Sequence, residues 1–544
     1  MPANRTLNSR CHNENISTSP EARTNFFVWR PVVSRMFFNL NQRFPGYYRR
    51  ICLHTLLSVF SAILLLLIFP RFDIRWLAPV ALAPLLIALA RTRDAWQRFF
   101  FGWAAGIFFW FFICTWIQFV LEVHGGMGRW GGWGSFFLFA ILKGLHLAVF
   151  GWLAGPLMRR NYAIPAVAAL WTGLERTHGT FGFAWLDLGN AGINMSVPLR
   201  LAPLVGVYGL SFVFAMLATG LACVVLRYPR LRLAPLLALP LLYLFPAIPQ
   251  GIPATSSALL VQPNVDTDIQ WTSLLQGDTE QRLTLLSNVL PAHLVIWPEL
   301  PAPLYYYDDP QFRADAEAIA RRHGWFLFGT VGYTAQHQPL NSAVLLGPDG
   351  RAVGRYDKID LVPFGEFIPP LFSFVNRITQ EAGDFVPGHD IKVLPANGYR
   401  LGVFSCYESA FPDLVRQFAK RGADVLVNIS NDGYFGHTEA RQQHLLLARM
   451  RAVENRRFVI RATNDGFTAV IDPAGRLIRT FPPYQQLASP VRFGVVEATS
   501  FYSRHGDWFA WICLAVGVGL AIWNLLHPPR SNLGRSETTS PYTE

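Results

Sequence analysis

Two patterns of apolar residues divide the chain. Residues 51–248 are nearly all hydrophobic with scattered arginines, whereas residues 255–500 alternate short apolar runs with polar segments. A helix that crosses a bilayer needs about 20 mainly apolar residues, and eight segments are candidates: 51–69, 74–90, 97–121, 134–157, 162–178, 202–226, 232–248 and 508–527. The pattern predicts an α-helical membrane bundle of about eight spans and, before the last span, a separately folded domain.

The polar region has the alternation of an α/β domain. Its strand candidates are rich in β-branched and aromatic residues and end at Gly, Pro, Asn or Asp; they are SALLVQPN, HLVIWPEL, WFLFGTVGY, NSAVLLGPDG, YRLGVFSCYE, ADVLVNISND and FTAVIDPAGR. Helical patterns lie between several of them, at about 272–289, 310–323, 410–421 and 439–456. Strands that take turns with helices indicate an α/β domain with buried sheets.

Composition and charge support a membrane protein and suggest its orientation. The chain is 51% hydrophobic and only 15% charged, with a net charge of +12. Arginines gather in alternate loops, which by the positive-inside rule places both termini in the cytoplasm and residues 249–507 outside. Topology therefore explains the charge without nucleic-acid binding. The predicted segments are a basic N-terminal segment 1–50, a seven-span bundle 51–248, an outer domain 255–500, a last span 508–527 and a disordered cytoplasmic tail 528–544. Met36 is an alternative start.

The cysteines single out one thiol. Of the six, four fall inside predicted spans and Cys11 lies in the basic leader, so Cys406 is the only cysteine of the outer domain and has no disulfide partner there. Two interpretations stand side by side: a small buried side chain, or a nucleophile, because a thiolate is favoured near a helix N-terminus or a cation.

Two further charged residues follow predicted strands, where reactive groups gather in α/β sheets. Glu299 comes after HLVIW, and Lys358 lies in YDKIDLVPFGEFIP. Each has an ordinary interpretation as a solvated surface charge. As functional groups, Glu299 is a general base for the thiol and Lys358 is a cation that stabilises an anionic tetrahedral intermediate. Supporting candidates are Glu366, Asn341, Tyr407 and Glu408.

The candidate residues lie in a series of short motifs that follow one another along the chain. WPE, YDK with LVPFGEFIP, SCYE, NISNDGYFG and ARMRAVEN closely resemble the nitrilase superfamily, and with the predicted spans the chain resembles its integral-membrane branch, the apolipoprotein N-acyltransferase family. The resemblance implies a nitrilase-like α-β-β-α sandwich and a catalytic triad of Glu299, Lys358 and Cys406. It also implies that Trp271 lies over the site. Departures include Tyr434 where Trp is usual in the family and Ile-Asp after Lys358.

The resemblance further implies the reaction and its setting. An acyl chain passes from a membrane phospholipid to a Cys406 thioester, and then to the α-amine of the diacylglyceryl-cysteine of an apolipoprotein, with no metal or cofactor. The enzyme is expected to be a monomer in the bacterial inner membrane with its catalytic domain in the periplasm.

Two alternatives remain open at this stage. One is a membrane-tethered amidohydrolase in which water resolves the thioester, and the other is a non-catalytic membrane scaffold. Residues 367–390 are expected to form a mobile lid. Lys143 and His146 are expected to be either helix-packing partners or headgroup contacts.

Overall fold

The computed structural model describes residues 46–180, 183–267, 269–363, 365–367 and 385–527. Most of the predicted basic leader, residues 368–384 of the expected lid and the predicted tail 528–544 lie outside the described residues. The chain divides into two compact units, residues 1–52 and 53–544. Of the first unit, only the start of one helix is described.

The described α-helices are numbered in chain order. They are α1 (Gly46–Leu67), α2 (Ala83–Arg91), α3 (Ala95–Ile113), α4 (Trp116–Phe119), α5 (Gly128–Leu157), α6 (Ala163–Thr180), α7 (Ser196–Leu199), α8 (Ala202–Val205), α9 (Val207–Val225), α10 (Ser273–Ser287), α11 (Pro310–His323), α12 (Pro412–Lys420), α13 (Ala440–Asn455), α14 (Phe501–His505) and α15 (Trp508–Leu526). A π-helical turn, Val120–His124, and several 3-10 segments connect them.

The predicted spans do not all form long apolar helices. In the described part of the chain, four helices are long and apolar enough to cross a membrane, α1, α5, α9 and α15, or five if α3 and the helix Trp116–His124, which meet at 61°, count as one. The candidate at 74–90 folds as a 3-10 turn, Arg75–Leu77, followed by the nine-residue α2. The candidate at 162–178 is helical as α6, but Glu175 and Arg176 lower its hydropathy.

The candidate at 232–248 is not an α-helix. Residues Arg230–Leu244 form a 3-10 helix, because Pro235 and Pro240 lack the amide hydrogens that an α-helix requires. A 3-10 helix rises by about 2.0 Å per residue, so 15 residues extend roughly 30 Å. An α-helix, which rises by about 1.5 Å per residue, would need about 20 residues to extend over the same distance.

The helical bundle has two distinct ends. We call one of them the arginine end; it consists of residues 91–98, 158–161, 227–232 and 526–527. Its segments are joined by hydrogen bonds from arginine side chains to backbone carbonyls: Arg159 to Thr92, Arg232 to Arg159, and Arg160 to His527. The other end faces the α/β domain. Helices α3, α5, α6, α9 and α15 each begin at one end and finish at the other.

The α/β domain contains two six-stranded sheets. The strands are β1 (Ser256–Gln262), β2 (Val295–Ile296), β3 (Phe326–Tyr333), β4 (Pro339–Leu346), β5 (Ala352–Asp357), β6 (Val393–Ala396), β7 (Tyr399–Ser405), β8 (Val425–Ser430), β9 (Val459–Thr463), β10 (Ala469–Ile471), β11 (Leu477–Thr480) and β12 (Leu487–Phe493). Their orders are β12-β1-β2-β3-β4-β5 and β11-β10-β9-β8-β7-β6. The inner strands β1–β2–β3 and β7–β8–β9 are parallel.

The two sheets share one core. Along β1, Ala258 and Leu260 join the core that both sheets share, whereas Leu259 and Val261 pack with residues of α10 and α11. This alternation is the period of two expected of a strand with both faces covered. Helices α12 and α13 contribute side chains to the shared core beside the second sheet. The predicted α-β-β-α sandwich on a helical membrane bundle is confirmed.

All seven predicted strands and all four predicted helices of this domain are present, with boundaries shifted by a few residues. The prediction did not include β5, β6, β9, β11 and β12 as strands. Two physical reasons are visible: β11 is exposed throughout, so no apolar alternation marks it, and β12 contains Pro490, which weakens the sequence signal of a strand.

Helix α13 joins the α/β domain to the bundle. The Glu454 carboxylate accepts a hydrogen bond from the backbone N–H of Val207 at 2.9 Å, at the first turn of α9. Gln443 donates to the carbonyl of Ile113, the last residue of α3, at 3.2 Å. A carboxylate at a helix N-terminus satisfies an otherwise unpaired amide and complements the helix dipole. The position of α13 is therefore set by membrane helices as well as by the sheet.

Two glycines of α15 provide a matched test of bundle packing. A Cβ on Gly517 would lie 2.5 Å from the Cα of Leu170 in α6, whereas one on Gly519 would meet nothing within 4 Å. We expect Gly517→Ala to destabilise the protein by about 1–3 kcal/mol through overpacking. Gly519→Ala should leave stability unchanged or raise it slightly through helix propensity. Thermal unfolding in detergent measures both, and equal melting temperatures for the two variants would contradict this packing.

Candidate active site

The backbone bends sharply at Cys406. The residue follows β7 directly, begins the 3-10 turn Cys406–Ala410 and precedes α12, so the predicted place between strand and helix is confirmed. Its φ of +45° lies in the left-handed region. For a residue with a side chain this conformation costs about 1–2 kcal/mol, and it persists only where neighbouring groups enforce it. The thiol itself is buried.

The other two members of the predicted triad are in direct contact. The Lys358 ammonium lies 3.0 Å from the Glu299 carboxylate and 2.8 Å from that of Glu366. The Asn341 amide donates to both carboxylates, at 2.8 Å and 2.5 Å. Ser405, the neighbour of the cysteine, donates to Glu299 at 2.7 Å. The structure thus brings one ammonium and two carboxylates together beside the thiol.

Burial and charge fix the resting protonation states. Burial opposes the ionised form of Glu299, but Lys358 and the hydrogen bonds that the carboxylate accepts outweigh it and hold the pKa of Glu299 below its ordinary value. Burial likewise opposes the ammonium, yet Glu299 and Glu366 hold the pKa of Lys358 above its usual range. Burial raises the pKa of the Cys406 thiol, Glu299 adds to that rise, and Lys358 offsets only part of it. At neutral pH the site therefore holds a carboxylate, an ammonium and a protonated thiol.

Glu408 lies apart from the Glu299–Lys358–Glu366 cluster and makes its own set of hydrogen bonds. Its carboxylate accepts from the Tyr356 hydroxyl at 2.7 Å, from the Ile359 amide at 2.7 Å and from the Ser405 amide at 2.6 Å. Burial raises its pKa to about 7 although these hydrogen bonds oppose the rise. Glu408 therefore connects the turn that carries the thiol to the chain segment next to Lys358.

The two aromatic candidates, Tyr407 and Trp271, lie in different surroundings. Tyr407 is buried and packs against two rings from the membrane part, with its ring centroid 6.1 Å from Phe183 and 6.2 Å from Trp185. Trp271 is half-buried and packs against the smaller core beside α10 and α11. It is not among the residues that line the cavity described next.

A cavity of about 1060 Å³ opens next to the thiol. Its polar end is formed by Glu299, Asn341, Lys358, Glu366, Cys406 and Tyr407. The rest is mainly apolar and comes largely from the membrane part, including one face of α5: Ser135, Leu138, Phe139, Leu142, Leu145, His146 and Val149. These positions extend roughly 21 Å along the helix at 1.5 Å per residue.

The cavity reaches the outer surface of the bundle. Leu138, Leu142 and Leu145 line it and are still 45%, 53% and 37% exposed. Lys143 also lines it; its ammonium donates to the carbonyl of Phe183 at 2.7 Å and lies 5.2 Å from the ring centroid of Trp110. The cavity is therefore wide enough and apolar enough to lead from the exposed side of α5 to Glu299, Lys358 and Cys406.

Three residues at the site were not among the predicted catalytic or supporting residues. Ser405 and the backbone amide of Asn431 both donate to Glu299, the latter at 3.1 Å, and Tyr434 lines the cavity. Asn431 follows the predicted strand ADVLVNIS, so the strand-end rule that selected Glu299 also points to it. In the described part of the chain, no group of three His, Cys, Asp or Glu side chains is placed to hold a metal ion.

Comparisons with known proteins follow this division of the chain. Residues 61–220 match the apolipoprotein N-acyltransferase N-terminal domain, and residues 261–488 match the carbon-nitrogen hydrolase family. The apolipoprotein N-acyltransferase of Geobacter metallireducens is 35% identical over 488 residues, covering 85% of this chain and 93% of the relative. That of Azotobacter vinelandii is 33% identical over 513 residues, covering 87% and 94%. An amidase of known structure from Nesterenkonia sp. is 21% identical and covers 45% of this chain and 92% of its own, with a TM-score of 0.35.

The charge balance at the thiol gives a testable titration. Replacing Glu299 with Gln removes the negative charge that raises the thiol pKa and leaves Lys358, which lowers it. We expect the pH midpoint of Cys406 alkylation by iodoacetamide to move downward in Glu299→Gln. The modified cysteine is identified by peptide mass spectrometry, and Asp349→Asn on the exposed turn after β4 is the control. An unchanged or higher midpoint in Glu299→Gln would contradict the assigned charges.

Proposed function

Since the chain belongs to the apolipoprotein N-acyltransferase family and N-acylates lipoproteins, we propose that it does so through a thioester on Cys406, with a membrane phospholipid as acyl donor. Glu299 is the general base and Lys358 is the cation that stabilises the intermediate. The observation that supports this most strongly is the single cavity that joins these three side chains to the lipid-facing leucines of α5.

The first half-reaction forms the thioester. The Glu299 carboxylate takes the thiol proton as the Cys406 sulfur attacks the ester carbonyl of a phospholipid. Negative charge then develops on the carbonyl oxygen, and the nearby ammonium of Lys358 stabilises it in a site that excludes bulk water. Collapse of the intermediate breaks the bond to the glycerol oxygen, which receives the proton from Glu299. A lysophospholipid leaves, and the acyl chain stays on sulfur.

The second half-reaction forms the amide. The α-amine of the diacylglyceryl-cysteine attacks the thioester in its neutral form. Glu299 accepts the proton that the amine loses, and the departing Cys406 sulfur takes that proton back as the thiol is restored. A thioester is a more reactive acyl donor than the amide product, so transfer requires no other energy source. One carboxylate thus serves both half-reactions, first as base and acid to the donor and then as base to the acceptor.

The shape of the cavity supports lipid substrates for both half-reactions. Its apolar part follows one face of α5 for roughly 21 Å, and its side is formed by exposed leucines. A soluble amidase acting on a small amide needs no such surface. Every proposed catalytic group comes from one chain, which is consistent with a monomer.

The orientation follows from the arginine end of the bundle. This apolar, helical chain is an inner-membrane protein. Arginines of the loops at residues 91–98, 158–161 and 227–232 gather at the end opposite the α/β domain. Because basic loops stay in the cytoplasm, we infer that the catalytic domain faces the periplasm and that both termini are cytoplasmic. The mobile lid expected at 367–390 stays a prediction; its last residues, which are described, include Phe385 in the cavity wall.

The thioester is tested by intact-mass analysis of protein incubated with phospholipid. We expect one acyl adduct that maps to Cys406, release of lysophospholipid, and amide product only after a diacylglyceryl peptide is added. Cys406→Ala should show none of these, whereas Cys513→Ala, in α15, should behave as wild type. Free fatty acid released without an acceptor would instead indicate a hydrolase, and full activity of Cys406→Ala would refute the proposal.

The acyl route is tested by filling the cavity. Leu142→Trp adds bulk to the lining. Relative to wild type, we expect this variant to slow the acylation of Cys406 more with long-chain phospholipids than with short-chain ones. Leu221→Trp changes a comparably exposed leucine of α9 that does not line the cavity and serves as the control. Rates from mass spectrometry with donors of two chain lengths decide the matter; equal slowing by both variants would contradict the route.

A further inference from the structure

A buried histidine touches the backbone of the nucleophile. The Nε2 of His444, on α13, lies 2.8 Å from the carbonyl oxygen of Cys406. A carbonyl only accepts, so Nε2 carries the hydrogen and donates it. His444 is fully buried and does not line the cavity that holds the thiol. It therefore contacts the Cys406 turn from outside the cavity.

The imidazole is itself fixed by a buried charged pair. Its Nδ1 lies 3.0 Å from the Asp432 carboxylate and 2.9 Å from the Arg461 guanidinium. Arg461 donates to both oxygens of Asp432 at 2.8 Å, and Ser430 donates to the same carboxylate at 2.7 Å. Arg461 and Asp432 are both fully buried. Burying a charged pair costs desolvation energy, and in this structure the pair fixes the orientation of the imidazole.

The protonation of the imidazole agrees with this geometry. Burial and the Arg461 guanidinium lower the pKa of His444, and Asp432 offsets only part of that effect. The ring is therefore neutral at pH 7. With its hydrogen on Nε2, the lone pair on Nδ1 is free to accept from Arg461.

A side chain from the membrane part restricts the ring from another direction. The Trp185 indole centroid lies 6.0 Å from that of His444. The Trp185 Nε1 also donates at 2.7 Å to Gln443, the preceding residue of α13. His444 is thus held by Arg461 of β9, by Asp432 in the 3-10 turn after β8, and by Trp185 from the membrane part.

From these contacts we propose that His444 is a positioning residue: its hydrogen bond to the Cys406 carbonyl holds the left-handed turn on which the thiol sits. The proposal rests on the proposed function of Cys406 as the nucleophile. In a trans peptide the C=O and the following N–H point in opposite directions. Fixing the Cys406 carbonyl therefore also fixes where the Tyr407 N–H points, and with it the whole Cys406–Tyr407 peptide plane.

The physical reason is the conformation of the turn. A non-glycine residue at φ +45° relaxes toward negative φ unless its surroundings forbid it. Loss of the carbonyl contact would release this constraint and leave a buried carbonyl without its partner. A displacement of about 1 Å at a reacting atom is enough to lower a rate about 100-fold.

Two amide substitutions test the proposal because they differ by one methylene. His444→Gln places an N–H donor near the position of Nε2, whereas His444→Asn places it near Nδ1, too short to reach the carbonyl. We expect His444→Asn to lower the rate of Cys406 acylation by about 100-fold with an unchanged KM for phospholipid, and His444→Gln to recover most of that rate. His323→Asn, at another buried histidine at the end of α11, should keep the wild-type rate.

Several results would overturn the proposal. They are a wild-type acylation rate in folded His444→Asn, equal losses in the Asn and Gln variants, or a rise in KM with an unchanged kcat. If His444→Asn does not fold, as judged by its melting curve, the Gln variant decides alone: a 100-fold loss despite its retained donor refutes the role of that hydrogen bond.

A lipid-free measurement separates this proposal from the proposed function. Alkylation of Cys406 by iodoacetamide reports the surroundings of the thiol without any acyl transfer. We expect its pH midpoint to shift in His444→Asn and to stay at the wild-type value in His444→Gln. If wild-type protein forms no acyl adduct, the proposed function fails while the alkylation data still judge His444. Equal midpoints in all three proteins would refute the positioning role.

Discussion

One buried ammonium between two carboxylates organises the catalytic end of this protein. Lys358 contacts Glu299 at 3.0 Å and Glu366 at 2.8 Å; Lys358 and Glu299 are buried, and the Glu366 side chain is 13% exposed. Burial and the Glu299 charge raise the pKa of the neighbouring thiol, and Lys358 offsets only part of that rise, so the thiol stays protonated at neutral pH. Had Lys358 paired with neither carboxylate, its burial would be prohibitively unfavourable. The same ion pair thus makes the site foldable and sets the charge states that its chemistry needs.

That cluster works only because strands from both sheets converge on it. Glu299 follows β2 and Lys358 follows β5 in the first sheet, whereas Cys406 follows β7 in the second. Glu408 links the halves, since its carboxylate accepts from amides on both the cysteine turn and the segment after Lys358. The site therefore lies where the two sheets of the sandwich meet, and the packing of one sheet on the other sets the distance between Glu299 and Cys406.

The membrane bundle is part of the site rather than a mere anchor. It supplies the apolar face of the cavity through α5. It also holds α13 through Glu454 at the start of α9 and through Gln443, next to His444, which contacts the Cys406 carbonyl. The apolar part of the cavity and the position of the Cys406 turn consequently depend on the same interface, which gives a physical reason for combining a nitrilase-like sandwich and membrane helices in one chain.

The sequence by itself determined the local features of this protein. Hydrophobic runs revealed a membrane bundle, period-two runs located seven strands, and strand ends with reactive side chains pointed to Glu299, Lys358 and Cys406. Each of these signals lies within a few neighbouring residues. Contacts between residues that are far apart in the sequence were decided only by the tertiary structure. Prolines made residues 230–244 a 3-10 helix where hydropathy alone predicted a span, and Trp271 packs on the smaller core and is not among the residues that line the cavity. Likewise, no local pattern indicates that His444 reaches a carbonyl 38 residues away, because such contacts arise only when sheets and helices pack together.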